Sequence, residues 1–129
     1  MKAPSVEKWL EEAKKDESAG RCGMYLIHNG TVRVDARSKV RSGAGDTRPV
    51  KGMRFSYDYE KVEAAKEAAL DLPGIYYVRV WLNEGELAAG DDIMYVLVGG
   101  DIRPHVVDAL QSLVGELKSN CVSEEEIYE

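Results

Sequence analysis

The stretch Ile93-Met-Tyr-Val-Leu-Val98 carries no polar interruption and no alternation, and it ends on Gly99-Gly100-Asp101. A run of that length without a period of two is satisfied only when both of its faces are covered, which places it centrally in a sheet. An amphipathic helix follows. Val106, Val107, Leu110, Leu113, Val114 and Leu117 fall at i, i+1, i+4, i+7, i+8 and i+11, forming one apolar stripe. Pro104 suits the first turn of that helix, where its missing N–H costs nothing.

The remaining segments supply what such a strand must pack against. Val6, Trp9, Leu10 and Ala13 recur at i, i+3, i+4 and i+7 behind Ser5, a good N-cap, so residues 6–16 are expected to be a helix that stops at Ser18-Ala19-Gly20. Met24–His28 reads as a short strand. Val50, Met53, Phe55 and Tyr57 mark a second strand, and residues 59–70 an alanine-rich helix with Val62, Ala65 and Ala69 inward. After the Pro73-Gly74 turn, Tyr76, Val78, Val80 and Leu82 alternate along a further strand. The order helix, strand, strand, helix, strand, strand, helix predicts an α+β domain: a mostly antiparallel sheet with three flanking helices. Residues 34–49 lack periodicity and are rich in Gly, Ser and charge, which reads as a long flexible basic loop. Residues 119–129 read as an acidic tail around Glu124, Glu125, Glu126 and Glu129, solvated and frayed. At 129 residues the chain is one domain.

Several function classes are disfavoured. A net charge of −6 argues against general nucleic-acid binding, which relies on neutralising phosphates. No apolar run approaches the roughly 18–20 residues needed to cross a bilayer, and the N-terminus lacks a signal peptide's apolar core, so a cytoplasmic protein is expected. Cys22 and Cys121 are isolated and read as reduced thiols, and no metal site or cofactor is expected. His28 and His105, the only histidines, have no Ser, Cys or carboxylate at motif spacing. His28, on a strand, reads as a packed or hydrogen-bonded side chain.

The candidate site residues are basic. Lys118 closes the final helix at the border of its stripe. It is either a stem running along the core edge with its head in water, or a partly desolvated amine with a lowered pKa, usable as a nucleophile or proton carrier. Arg33 directly follows the first strand, where its direction is fixed. Arg37, Lys39, Arg41 and Arg48 make the following loop basic inside an acidic protein, able to hold a phosphate or a partner's carboxylate. Gly100 and Arg103 sit where a buried strand turns into a helix, a place at which backbone N–H groups and the helix dipole receive anions.

These pieces together carry a resemblance. Gly85-Glu-Leu-Ala-Ala-Gly90-Asp91, the apolar strand, Arg103 at the mouth of the next helix and the terminal Leu117-Lys118 resemble the large, catalytic subunit of molybdopterin synthase, the MoaE family. Gly23 followed by a strand and Gly30-Thr-Val-Arg33 is similar to the family's glycine, strand and G-x-V-R. The resemblance spans about residues 18–121 and implies the MoaE-like, alpha/beta hammerhead fold. It further implies a homodimer that docks a small ubiquitin-like sulfur carrier (MoaD-like) ending in a Gly-Gly thiocarboxylate. Sulfur would pass from that carrier to cyclic pyranopterin monophosphate, giving the dithiolene of molybdopterin. Lys118 then matches the essential lysine, and Arg33 and Arg103, with Gly100, would hold phosphate or a developing oxyanion. Three departures stand out. The family's histidine on the strand before G-E-L is replaced near Leu82. Ile102 replaces the histidine of the family's His-Arg pair, which acts in the neighbouring subunit's site. The family's second lysine after Lys118 is replaced by Glu124 or Glu125. A MoaE-like paralogue that binds the carrier without turnover is the alternative that these replacements imply.

Overall fold

A computed structural model of the chain describes residues 2–35 and 49–128. The basic positions 37, 39, 41 and 48, and most of the expected 34–49 loop, lie outside the described residues. In chain order the elements are α1 (Val6–Lys15), a short 3-10 turn (Ala19–Arg21), β1 (Met24–Thr31), β2 (Val50–Tyr57), α2 (Tyr59–Leu70), β3 (Ile75–Leu82), β4 (Gly85–Ala88), β5 (Asp92–Gly100), α3 (Arg103–Glu116), a π-turn (Leu117–Cys121) and β6 (Val122–Tyr128). Among the described residues the strands form two three-stranded sheets, ordered β1-β5-β3 and β4-β2-β6, and every pairing is antiparallel. Among the described residues, three α-helices on antiparallel sheets give the expected α+β class, with the sheet divided in two.

β5 is the central strand, paired to β1 and to β3 along nearly its whole length. Met94, Val96, Leu97 and Val98 are fully buried, because each face of the sheet meets its own layer. On one face Val96 and Val98 pack with Val106, Leu113 and Leu117 of the α3 segment, with Val62 and Ala65 of α2, and with Phe55 and Leu87 of the second sheet. On the other face Leu97 packs with Trp9 and Ala13 of α1, bordered by Tyr25, Ile27, Tyr77, Trp81 and Tyr95. Burial of each such aliphatic or aromatic side chain is worth about 1.5–3 kcal/mol, so the two-sided cover of β5 dominates the stability of the domain. The smaller layer is fastened by Arg79, whose guanidinium lies 4.6 Å from the Trp9 ring centroid and pairs with Glu12.

Local chemistry sets the helix starts. The Ser5 hydroxyl accepts from the Lys8 N–H at 3.2 Å and the Asp58 carboxylate accepts from the Lys61 N–H at 3.2 Å, capping α1 and α2. β1 runs three residues beyond the expected His28, to Thr31, because the long β5 continues to offer it partners. Asn29 adds side-chain bonds to the Asp92 carboxylate at 3.1 Å and to the Met94 carbonyl at 3.2 Å. In β3 a register shift between Ile75 and Tyr77 moves Tyr76 out of the alternation, and its ring instead lies 5.7 Å from the Arg21 guanidinium.

The acidic tail is the main correction. In place of a frayed end, residues 122–128 form β6 and pair with β2 from Tyr57↔Val122 to Val50↔Tyr128. The charges masked a period of two. Val122, Glu124 and Glu126 stand opposite Tyr57, Phe55 and Met53, while the exposed Glu125 pairs with Arg54 at 3.1 Å. That exposed ion pair contributes about 0–1 kcal/mol, so the backbone ladder and the cover of an otherwise open β2 edge hold the strand.

Glycine at position 100 is required by packing. A Cβ there would stand 2.4 Å from the Gly74 carbonyl oxygen and 2.8 Å from Val106 Cγ2. Gly100→Ala is therefore expected to lower stability by about 1–3 kcal/mol in urea unfolding at unchanged m-value. A midpoint equal to that of the parent chain would contradict this packing.

Candidate active site

The G-E-L-x-x-G-D and G-x-V-R segments meet. Gly90, at φ +91°, makes the turn between β4 and β5, and the Asp91 carboxylate accepts from the Ala88 N–H at 2.9 Å to close it. The end of β1 is tied to this turn twice: Val32 N–H donates to the Asp91 carbonyl at 3.0 Å, and Gly90 N–H donates to the Val32 carbonyl at 2.9 Å. Val32 is buried, so Arg33 leaves from an anchored backbone and is itself exposed. Its Nε donates to the Asp35 carbonyl at 3.4 Å.

α3 leaves the far end of β5 and runs back along the sheet. Its 14 residues span about 21 Å, close to the length of an eight-residue strand. Arg103 opens α3 three residues after Gly100, whose partner in β1 is Met24. Lys118 lies beyond the opposite, C-terminal end of α3, within electrostatic reach of His28 on β1.

Lys118 differs from the half-desolvated position considered above. The buried line of α3 is Val106, Ala109 and Leu113, continued by Leu117 and Cys121. Val107 and Val114 are only half-buried, so the stripe is centred one residue away from Lys118, which is exposed on the π-turn. Its neighbour is a residue that the sequence reading assigned to packing. His28 lies on the same face of β1 as Met24 and Leu26, the face covered by α3, and burial lowers its pKa below the ordinary 6.5. The Lys118 ammonium lowers it further. The His28 Nε2 is buried and has no hydrogen-bond partner among the described residues. The period of two along β1 was the available signal, since it puts His28 in line with two helix-facing apolar residues.

At the other end, the expected anion-receiving turn already holds an anion. Asp101 Oδ1 accepts from the Ile102 N–H at 2.6 Å and lies 2.7 Å from His105 Nδ1. The His105 contact, together with the Ile102 N–H, holds the Asp101 carboxyl below its usual value. Gly100 is accounted for by close packing, and Arg103 is exposed at the first turn of α3. A separate groove of about 510 Å³ lies between α2 and α3, walled by Ala65, Ala69 and Leu113; none of the expected site residues lines it.

A family model described as MoaE protein matches residues 3–120. The chain belongs to the MoaE family. Solved structures similar to it include molybdopterin synthase from Staphylococcus aureus, at 16% identity and TM-score 0.75, covering 100% of this chain and 88% of that one. Molybdopterin cofactor biosynthesis protein E from Burkholderia multivorans is 17% identical at TM-score 0.72, covering 99% of this chain and 84% of that one. A complex of subunits 1 and 2 of molybdopterin-converting factor from Helicobacter pylori matches at 15% identity and TM-score 0.65, covering 98% and 84%. At these identities the likeness is one of fold. A comparison with curated proteins gives no match. The family match ends at Asn120, so β6 lies beyond it in this MoaE-family chain. Among the described residues no helix is long and apolar enough to cross a membrane.

The Asp101 cap has a testable pH signature. Its folded-state pKa is depressed, so its stabilisation is present above the ordinary value of 3.8 and is lost as pH falls through the folded value. Asp101→Ala is expected to unfold at a lower temperature than the parent at neutral pH, and the gap should close below about pH 3.8. A gap that is absent at neutral pH, or unchanged in acid, would contradict the cap.

Proposed function

We propose that this chain is the catalytic subunit of a molybdopterin synthase, a sulfurtransferase that forms the dithiolene of molybdopterin from cyclic pyranopterin monophosphate. Its sulfur source is a small ubiquitin-like carrier with a C-terminal Gly-Gly thiocarboxylate, which leaves as a carboxylate after each of two rounds. The single observation that supports this reading is that Lys118, just beyond α3, lies near His28 on β1, the strand whose chain continues through the anchored Val32 to the exposed Arg33. The Helicobacter pylori relative is a complex of two subunits, which supports a small protein partner here.

In this reading Lys118 is the proton carrier or transient acyl acceptor at the carrier's tail, and an exposed amine on a short π-turn is accessible to a threaded peptide. Arg33 holds the substrate phosphate, where a guanidinium offers bidentate contact. Arg103, at the opposite end of α3, serves the site of a second protomer in a homodimer. Gly100 acts by letting the strand, the Gly74 turn and α3 approach, and so fixes where Arg103 begins.

The second reading, a paralogue that docks the carrier without turnover, is favoured by β6. Glu124 presents a half-buried carboxylate on the inner face of the second sheet, with Oε1 buried and unpartnered, where the resemblance implies a cation. One assay separates the two. The protein is mixed with thiocarboxylated carrier and pyranopterin, and dithiolene product is measured. The catalytic reading predicts product, a loss of roughly a hundredfold or more in Lys118→Ala, and a raised KM for the pyranopterin in Arg33→Ala. A stable complex that yields no product would establish the paralogue instead.

A further inference from the structure

We propose that His28 is the positioning partner of Lys118: its Nε2 accepts a hydrogen bond from the Lys118 ammonium when the site is filled, and so fixes where that amine points. The inference deepens the sulfur-transfer reading and rests on it.

A packed structural histidine satisfies its ring nitrogens, because a buried polar atom without a partner is destabilising. Here Nε2 is shut off from solvent and unpaired among the described residues. The space beside it exists because residue 30 is glycine: a Cβ there would stand 3.6 Å from Nε2 and 3.3 Å from Met94 Cγ. The surroundings are otherwise apolar. Val96 of β5 stands opposite His28, Met94 and Gly30 flank Nε2, and Lys118 of the π-turn is close enough to act on the ring electrostatically. Among the described residues Lys118 is the charged group whose field reaches the imidazole.

That combination selects one role. Beside an ammonium and away from water, the ring stays neutral, and a lone pair on Nε2 facing the cation is the favourable tautomer. An exposed lysine has many rotamers, and a fixed acceptor reduces them to the one that lies over β1. Protonating His28 would turn the acceptor into a second cation and release the amine. The arrangement is therefore lost as pH falls through the His28 value, which lies below 6.5.

Two measurements on the full-length protein test this. In long-range ¹H–¹⁵N spectra of histidine-labelled protein, His28 should be neutral at pH 7 with its proton on Nδ1, and Lys118→Ala should raise its titration midpoint by roughly half a unit or more. In the dithiolene assay, His28→Phe should lower kcat roughly tenfold or more with KM for the pyranopterin nearly unchanged. His28→Gln, which places an untitratable oxygen near the Nε2 position, should keep kcat within about threefold and remove the acid limb of the pH profile. A proton on Nε2, a midpoint indifferent to Lys118, or His28→Phe with parental kcat would overturn the proposal. Absence of product from the parent protein would defeat the sulfur-transfer reading alone, and the spectra would still decide the pair.

Discussion

The structure depends on the pairing and two-sided burial of β5. A strand hydrogen-bonded on both edges and covered on both faces has no freedom to shift register, since a slip of one residue would exchange the α1-facing and α3-facing sets. Everything of functional interest is placed by reference to it. β1 takes its register from β5, and Gly99-Gly100 lets the chain turn closely enough for α3 to run back over the same strand. Lys118 follows the C-terminal end of that helix and lies near His28 of β1.

The G-E-L-x-x-G-D segment, which carries much of the resemblance to the MoaE family, acts as a fastener. Its glycine turn and Asp91 carboxylate form a rigid corner, and Val32 is hydrogen-bonded to that corner in both directions. The chemistry proposed for Arg33 relies on this, because a guanidinium on an anchored backbone can be aimed, whereas one within a long loop cannot. At the other end of the molecule, Asp101 plays the corresponding part for α3 by occupying the first turn and leaving Arg103 and Ile102 outward.

Much of the fold was legible in the sequence, for definite reasons. The uninterrupted run Ile93–Val98 announced an interior strand, and the 3.6-residue period of Trp9 and Ala13 announced α1. β6 was hidden because four glutamates in eight residues suggest solvation, and only its pairing with β2 reveals the alternation beneath them. The division into two sheets was hidden as well, because β4 is four residues long and reads as part of a turn motif. In the proposed site, Lys118 and Arg33 could be named from position, type and the resemblance to the MoaE family. The place of Lys118 relative to the buried line could not, since that line runs through Leu117 and the π-turn changes the winding beyond it. The role proposed for His28 rests on a buried ring nitrogen without a partner among the described residues and on a neighbour 90 residues distant, neither of which is a local signal.

In the proposed reaction the carrier's C-terminus comes to rest on the amine of Lys118. Carbodiimide coupling of the complex, which joins a carboxylate to an amine with no spacer, followed by tandem mass spectrometry of the joined peptides, tests it most directly. An isopeptide bond between the carrier's terminal glycine and Lys118 is expected. A terminal glycine joined only to other lysines of this chain, such as Lys14, Lys51 or Lys61, would contradict it.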